Sequence, residues 1–149
     1  ALEVSVLALL DETQRPLEIA RVSQTAHELL AKNRTVVIYS SRQLITERRG
    51  LKNLAIGGIV SDSLVEIVQH LAIRPRYFIA KGGITSSDMA TKALSVKRAI
   101  VRGQILPGIP LWELGADSRY PDLTYIVFPG NVGDENALAS LVAKLEARG

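Results

Sequence analysis

An apolar, aromatic run that ends in two adjacent glycines and opens straight into a helix-like segment constrains this chain most. It reads Tyr77-Phe78-Ile79-Ala80-Lys81-Gly82-Gly83-Ile84-Thr85-Ser86-Ser87-Asp88. The two glycines let the backbone turn sharply with positive φ and let another group approach the main chain closely. The N–H groups at the start of the following helix point out of such a turn and favour an anion such as phosphate. Strand, glycine turn and helix start together make a phosphate-site candidate.

The rest of the chain repeats the alternation. Residues 2–6 alternate as a short strand, and residues 7–10 continue into a helical turn. Pro16 opens an amphipathic helix whose apolar positions are Ile19, Val22, Ala26, Leu29 and Leu30, ending near Asn33. Residues 35–39 read as a strand buried on both faces and close on Ser40-Ser41-Arg42. A polar, basic loop or frayed helix follows over residues 42–50. Gly57-Gly58 should break the next helix, Ser61 should cap its successor, and Pro75 should stop it. Thr85 and Asp88 resemble a capping box. Residues 98–103 and 109–114 form strands joined by too few residues for a crossover helix, so they should be antiparallel at one edge. Residues 115–122 form a surface loop, residues 125–128 a strand, and Pro129-Gly130-Asn131-Val132-Gly133-Asp134 a second glycine turn before a closing helix over Ala137, Leu138, Leu141, Val142 and Leu145.

Alternating strands and helices imply an α/β fold, a mostly parallel sheet with helices on both faces and an antiparallel edge hairpin. In open sheets of this kind, ligands collect outside the carboxyl ends of the strands. Three polar strand ends belong to that class: Ser40-Ser41-Arg42, residues 81–87 and residues 130–134. One domain over residues 1–149 is expected, since a chain of this length buries roughly two-thirds of its extended surface.

Composition excludes several functions. Hydrophobic residues at 47% argue against disorder. The absence of cysteine rules out disulfides, zinc–thiolate sites and thiol catalysis, and fits a reducing, cytoplasmic setting. Few aromatics and a dispersed net charge of +3 argue against nucleic acid. No run approaches the roughly 18 apolar residues that span a bilayer, and the apolar piece over residues 4–10 lacks the basic leader of a signal peptide. The abrupt start at Ala1 reads as a piece of a longer protein. His27 and His70 lack telling partners and read as structural or surface residues, and Trp112 reads as packing under the edge hairpin.

Neither glycine turn matches the P-loop or the dinucleotide fingerprint G-x-G-x-x-G, so an NAD-type oxidoreductase has little support. Lys81 and Arg42 stand at strand ends, where each could reach a phosphate or sit in solvent. Asp88, Asp134 and Glu135 place negative charge at helix starts. They would either satisfy the helix dipoles themselves or help hold a magnesium ion beside a phosphate.

Three ordered stretches, residues 80–88, Gly103-Gln104-Ile105-Leu106-Pro107-Gly108-Ile109-Pro110 and residues 129–134, resemble the successive signatures of the C-terminal, nucleotide-binding domain of four-carbon acid sugar kinases. Residues 35–42 fit the same pattern. The resemblance implies ATP and Mg2+ as cofactors. It implies phosphorylation of a hydroxyl on a four-carbon sugar acid of the threonate, erythronate or oxo-tetronate class. It also implies an N-terminal domain, absent here, that holds the acid and supplies the catalytic base, so no catalytic residue is expected in this chain. Carried over, Gly82, Gly83, Thr85 and Ser86 face the ATP phosphates. Gly130, Asn131 and Gly133 form the second nucleotide loop, Gly108 lies in the turn between, and Ser40 and Ser41 close the first strand of the site. The chain departs from the family in having Phe128-Pro129 where many members have Lys-Ser, and Ile84 where many have Glu. The competing expectation is a non-catalytic module that senses a phosphorylated metabolite or serves in assembly. Expected partners are the N-terminal substrate domain and a small sugar acid, with homo-oligomer formation left open.

Overall fold

A computed structural model of the chain describes residues 1–42 and 53–147, so nearly all of the polar stretch at 42–50 lies outside the described residues. The chain divides into two compact units, Ala1–Arg74 and Pro75–Gly149.

In the first unit, β1 (Leu2–Val4) pairs in parallel with β2 (Ile38–Ser40). Ser5 turns the chain from β1 into α1 (Val6–Leu10), its Oγ accepting the Ala8 N–H at 3.3 Å. The helix α2 (Arg15–Ala31) carries Pro16 in its first turn, where the missing N–H has no partner to lose. Its three- and four-residue spacing buries Ile19, Val22 and Ala26. Val4, Leu9, Ile19, Val22 and Ile67 of α3 (Asn53–Gln69) form one core cluster.

A charged residue is built into this unit. Glu18 is buried, accepts the Ser5 N–H at 2.7 Å and takes a two-pronged contact from Arg21, with both N–O distances at 2.8 Å. The Arg21 guanidinium holds the Glu18 carboxyl below its ordinary value, against burial, which pushes the other way. The carboxylate therefore contributes stability above the ordinary carboxyl pKa, and that contribution is lost as pH falls through the lower folded-state value. Glu18→Gln should lose about 1–2 kcal/mol at neutral pH. The gap to the wild-type protein should close in acid, which urea titrations at neutral and acidic pH would measure.

The second unit holds a four-stranded sheet in the order β3 (Tyr77–Lys81), β6 (Thr124–Phe128), β5 (Ile109–Leu114), β4 (Ala99–Leu106). The pair β3–β6 is parallel, and the other two pairs are antiparallel. Period-two alternation along β6 assigns its faces. Ile126 and Phe128 join Ile105 and Ile109 against Ala137, Leu141 and Leu145 of α5 (Ala137–Glu146). On the other face Tyr125 stacks between Phe78 and Trp112, with ring centroids 5.6 and 6.0 Å away. The Tyr125 hydroxyl donates to the Ser86 carbonyl of α4 (Gly83–Asp88), tying that helix to this face. A π-helical turn, Met89–Ala93, continues α4.

The α/β class and the antiparallel edge hairpin are as expected, but several local readings are corrected. The described strands form two sheets, not one. Strand β2 has three residues instead of five and is half-exposed, because its one neighbour among the described residues is β1. Tyr39 faces outward and donates to Glu3 across the pair. Helix α3 passes through Gly57 and Gly58, each worth about 1 kcal/mol of helix propensity, because burial of Val65, Ile67 and Val68 outweighs it. Ser61 is therefore buried inside the helix instead of capping it. The helix ends at Gln69, well before Pro75. No capping box forms at Thr85: Gly82 is the N-cap, with φ 101° and no side-chain bond. Among the described residues, no helix is long and apolar enough to cross a membrane.

Candidate functional site

The parallel pairing of β3 with β6 decides where the two glycine turns lie. Their register runs from Tyr77↔Thr124 to Lys81↔Phe128, so both strands end level and both turns leave the same sheet edge. The Gly82 N–H donates to the Phe128 carbonyl at 2.8 Å, extending the ladder one residue into the turn. Gly82 then takes φ 101°, which a side chain would oppose, and the chain enters α4 at Gly83. A Cβ on Gly130 would stand 3.8 Å from the Gly82 Cα, so the two turns are in near contact through backbone. The hairpin turn joins them, since a Cβ on Gly108 would stand 3.4 Å from a Val132 methyl.

The second unit thus brings together Gly82, Gly83, Thr85, Ser86, Gly108, Gly130, Asn131 and Gly133. They are not equally accessible. Gly83, Gly130 and Asn131 are exposed, and Thr85 is half-buried beside Gly82. Ser86 is buried: its Oγ donates to the Ala80 carbonyl at 2.8 Å, and its own carbonyl receives Tyr125. Ser40 and Ser41 belong to the first unit, where the Ser41 Oγ accepts the Val6 N–H at 3.0 Å.

Gly133 is the turn position with the least tolerance. Its φ is 83°, and a Cβ would stand 2.5 Å from Ala137 Cβ and 3.4 Å from the Phe128 ring. Backbone strain and overpacking each contribute about 1–3 kcal/mol. Gly133→Ala should therefore lower stability by about 2 kcal/mol or more in chemical denaturation. Pairing it with Ala137→Gly should recover the steric part and leave the backbone part.

Among the described residues, Lys81 brings positive charge to this edge. Lys81 Nζ lies 4.0 Å from the Phe128 ring centroid and 3.4 Å from the Pro129 carbonyl oxygen. Lys81 is the register partner of Phe128 on the adjacent strand. Two of the acidic residues are engaged locally: Asp88 pairs with Lys92 at 3.2 Å, and Asp134 Oδ1 accepts the Asn136 N–H at 2.9 Å. Among the described residues, no three acidic or histidine side chains converge as a metal site. His27 and His70 flank an open groove of about 550 Å³ in the first unit. Trp112, itself on hairpin strand β5, packs on Tyr125 of β6.

No curated protein matches the sequence. Solved structures share the fold at low identity. A domain of unknown function (DUF1537) from Bordetella bronchiseptica, a domain-swapped dimer with bound citrate, is 16% identical with a TM-score of 0.67, over 97% of this chain and 34% of that one. A Salmonella typhimurium LT2 protein, provisionally designated a tRNA synthase, is 19% identical with a TM-score of 0.66, over 99% of this chain and 35% of that one. The chain thus spans about a third of the length of these structures. Residues 1–138 match the family described as a nucleotide-binding C-terminal domain, and the chain belongs to that family.

Proposed function

We propose that this chain is the ATP-binding part of a kinase that phosphorylates a hydroxyl of a four-carbon sugar acid, with the nucleotide phosphates at the paired glycine turns. The observation that carries this reading is the meeting of two exposed glycine turns at the carboxyl ends of adjacent parallel strands, in a member of a nucleotide-binding family. Phosphoryl transfer is mostly positioning and electrostatic stabilisation, so a domain that holds ATP is a sensible half of such an enzyme. The acid and the catalytic base are assigned to a further domain, in keeping with the chain spanning a third of its structural relatives. Magnesium is expected to arrive with the phosphates, because it commonly binds through one or two carboxylates plus substrate oxygens.

A thermal-shift panel tests the reading. A ligand at a hundredfold its dissociation constant stabilises a fold by about 2.7 kcal/mol. Mg-ATP and Mg-ADP should raise the melting temperature, and NAD should not. A response to sugar phosphates without one to adenine nucleotides would replace the kinase reading with a phosphometabolite-binding module.

A further inference from the structure

We infer that Lys81 is the phosphate-binding cation of this site, held in place by the Phe128 ring and the Pro129 carbonyl. The inference rests on the nucleotide reading above and adds a residue and a ligand preference: diphosphates and triphosphates over the bare nucleoside.

Three observations carry it. The first is position. Lys81 is the last residue of β3, next to Gly82, and its register partner Phe128 is the last residue of β6, next to the second turn. Its ammonium contacts Phe128 and Pro129 across the strand pair, where the two turns leave the sheet.

The second is preorganisation. An exposed lysine ordinarily keeps about 2 kcal/mol of rotamer entropy, which a ligand must remove on binding. Here the ammonium already rests on a ring face at cation–π distance. That ring is fixed, being 1% exposed, packed in the α5 core and closed over by Gly133. Phe128 therefore supplies a rigid platform while remaining part of the core.

The third is available charge. A lysine ammonium has three donors, and the Pro129 carbonyl uses one at a long 3.4 Å. Among the described residues no carboxylate pairs with Lys81, whereas Arg21, Lys92, Arg98 and Arg102 all have acidic partners. Lys81 itself is exposed. A cation fixed by a ring and a neutral oxygen keeps its full charge for an incoming anion, and a polyphosphate offers the highest charge density among nucleotide groups.

Calorimetric titration of the protein with Mg-ATP, Mg-ADP, AMP and adenosine tests this, using wild type, Lys81→Met and Lys81→Arg. Lys81→Met should weaken ATP and ADP by about tenfold and leave adenosine unchanged, so the ATP-to-adenosine ratio collapses. Lys81→Arg should restore most of that ratio, and added salt should weaken ATP binding less in the Met variant. Phe128→Leu, which removes the platform, should lower the same ratio part of the way. Because the ratio compares two ligands on one protein, a general loss of stability does not move it. If wild type binds ATP and Lys81→Met keeps the wild-type ratio, the role of Lys81 is wrong and the nucleotide site stands. If wild type binds none of these ligands, the nucleotide reading fails, and the lysine's role with it.

Discussion

Gly83→Asp should reduce nucleotide affinity by about a hundredfold or more while leaving the melting curve cooperative, because a like charge set against a bound phosphate costs several kcal/mol. Gly83 separates these effects cleanly. It is exposed, its φ lies outside the left-handed region, and a Cβ there meets nothing within 4 Å. It is also the first residue of α4, where an acidic side chain is favoured by the helix dipole. The substitution therefore leaves the fold intact and puts a carboxylate where the phosphates are proposed to bind. Gly82 would be the wrong choice, since its φ of 101° confounds binding with strain. Mg-ATP titration of the folded variant is the measurement, and unchanged affinity would move the site away from this turn.

Tyr125→Ala should lower stability by about 3–5 kcal/mol, the largest folding effect expected here. Tyr125 is fully buried, sits between Phe78 and Trp112, and bonds through its hydroxyl to the Ser86 carbonyl at 2.6 Å. The truncation would remove the middle of a three-ring stack and take the phenolic hydrogen bond from the Ser86 carbonyl. For a chain of this size the melting temperature should fall by about 10 °C. Tyr125→Phe keeps the stack and loses only the hydroxyl, for about 1–2 kcal/mol. Burial pushes the Tyr125 phenol well above its ordinary value, opposed in small part by the Ala90 backbone. The sign follows from linkage. The unfolded chain releases this proton near the ordinary tyrosine pKa of about 10, so stability is complete below that pH and falls above it. Tyr125→Phe should remove that part of the alkaline loss, which denaturant titrations at rising pH would reveal.

The two effects are linked through one residue. Ser86 reads in the sequence as one more hydroxyl beside a phosphate loop, but its hydroxyl points inward to Ala80 and its carbonyl receives Tyr125. Nothing local distinguishes it from exposed Ser87. Burial on one face of a short helix depends on what the opposing strand carries, and Tyr125 is 39 residues away. Gly57-Gly58 misleads for the same reason in reverse. Propensity says break, and tertiary packing of the residues that follow says continue.

Strong local rules made much of the chain legible from residues alone. Pro16 opens a helix because its fixed φ and missing N–H suit that position, and Ile19, Val22 and Ala26 are buried because their spacing matches the helical period. The short link read over residues 104–108, which the structure narrows to 107–108, forces an antiparallel hairpin. The glycine turns were visible as turns for the same kind of reason. Tertiary structure alone decided that β3 lies beside β6 and not beside the strands nearer to it in sequence. From that pairing follow the contact of Gly82 with Gly130 and the placing of Lys81 on Phe128. Strand order is set by which faces bury most apolar surface together, a property of the folded whole that no short window contains. The opening glycine turn thus declares its own shape in the sequence, and its partners only in the fold.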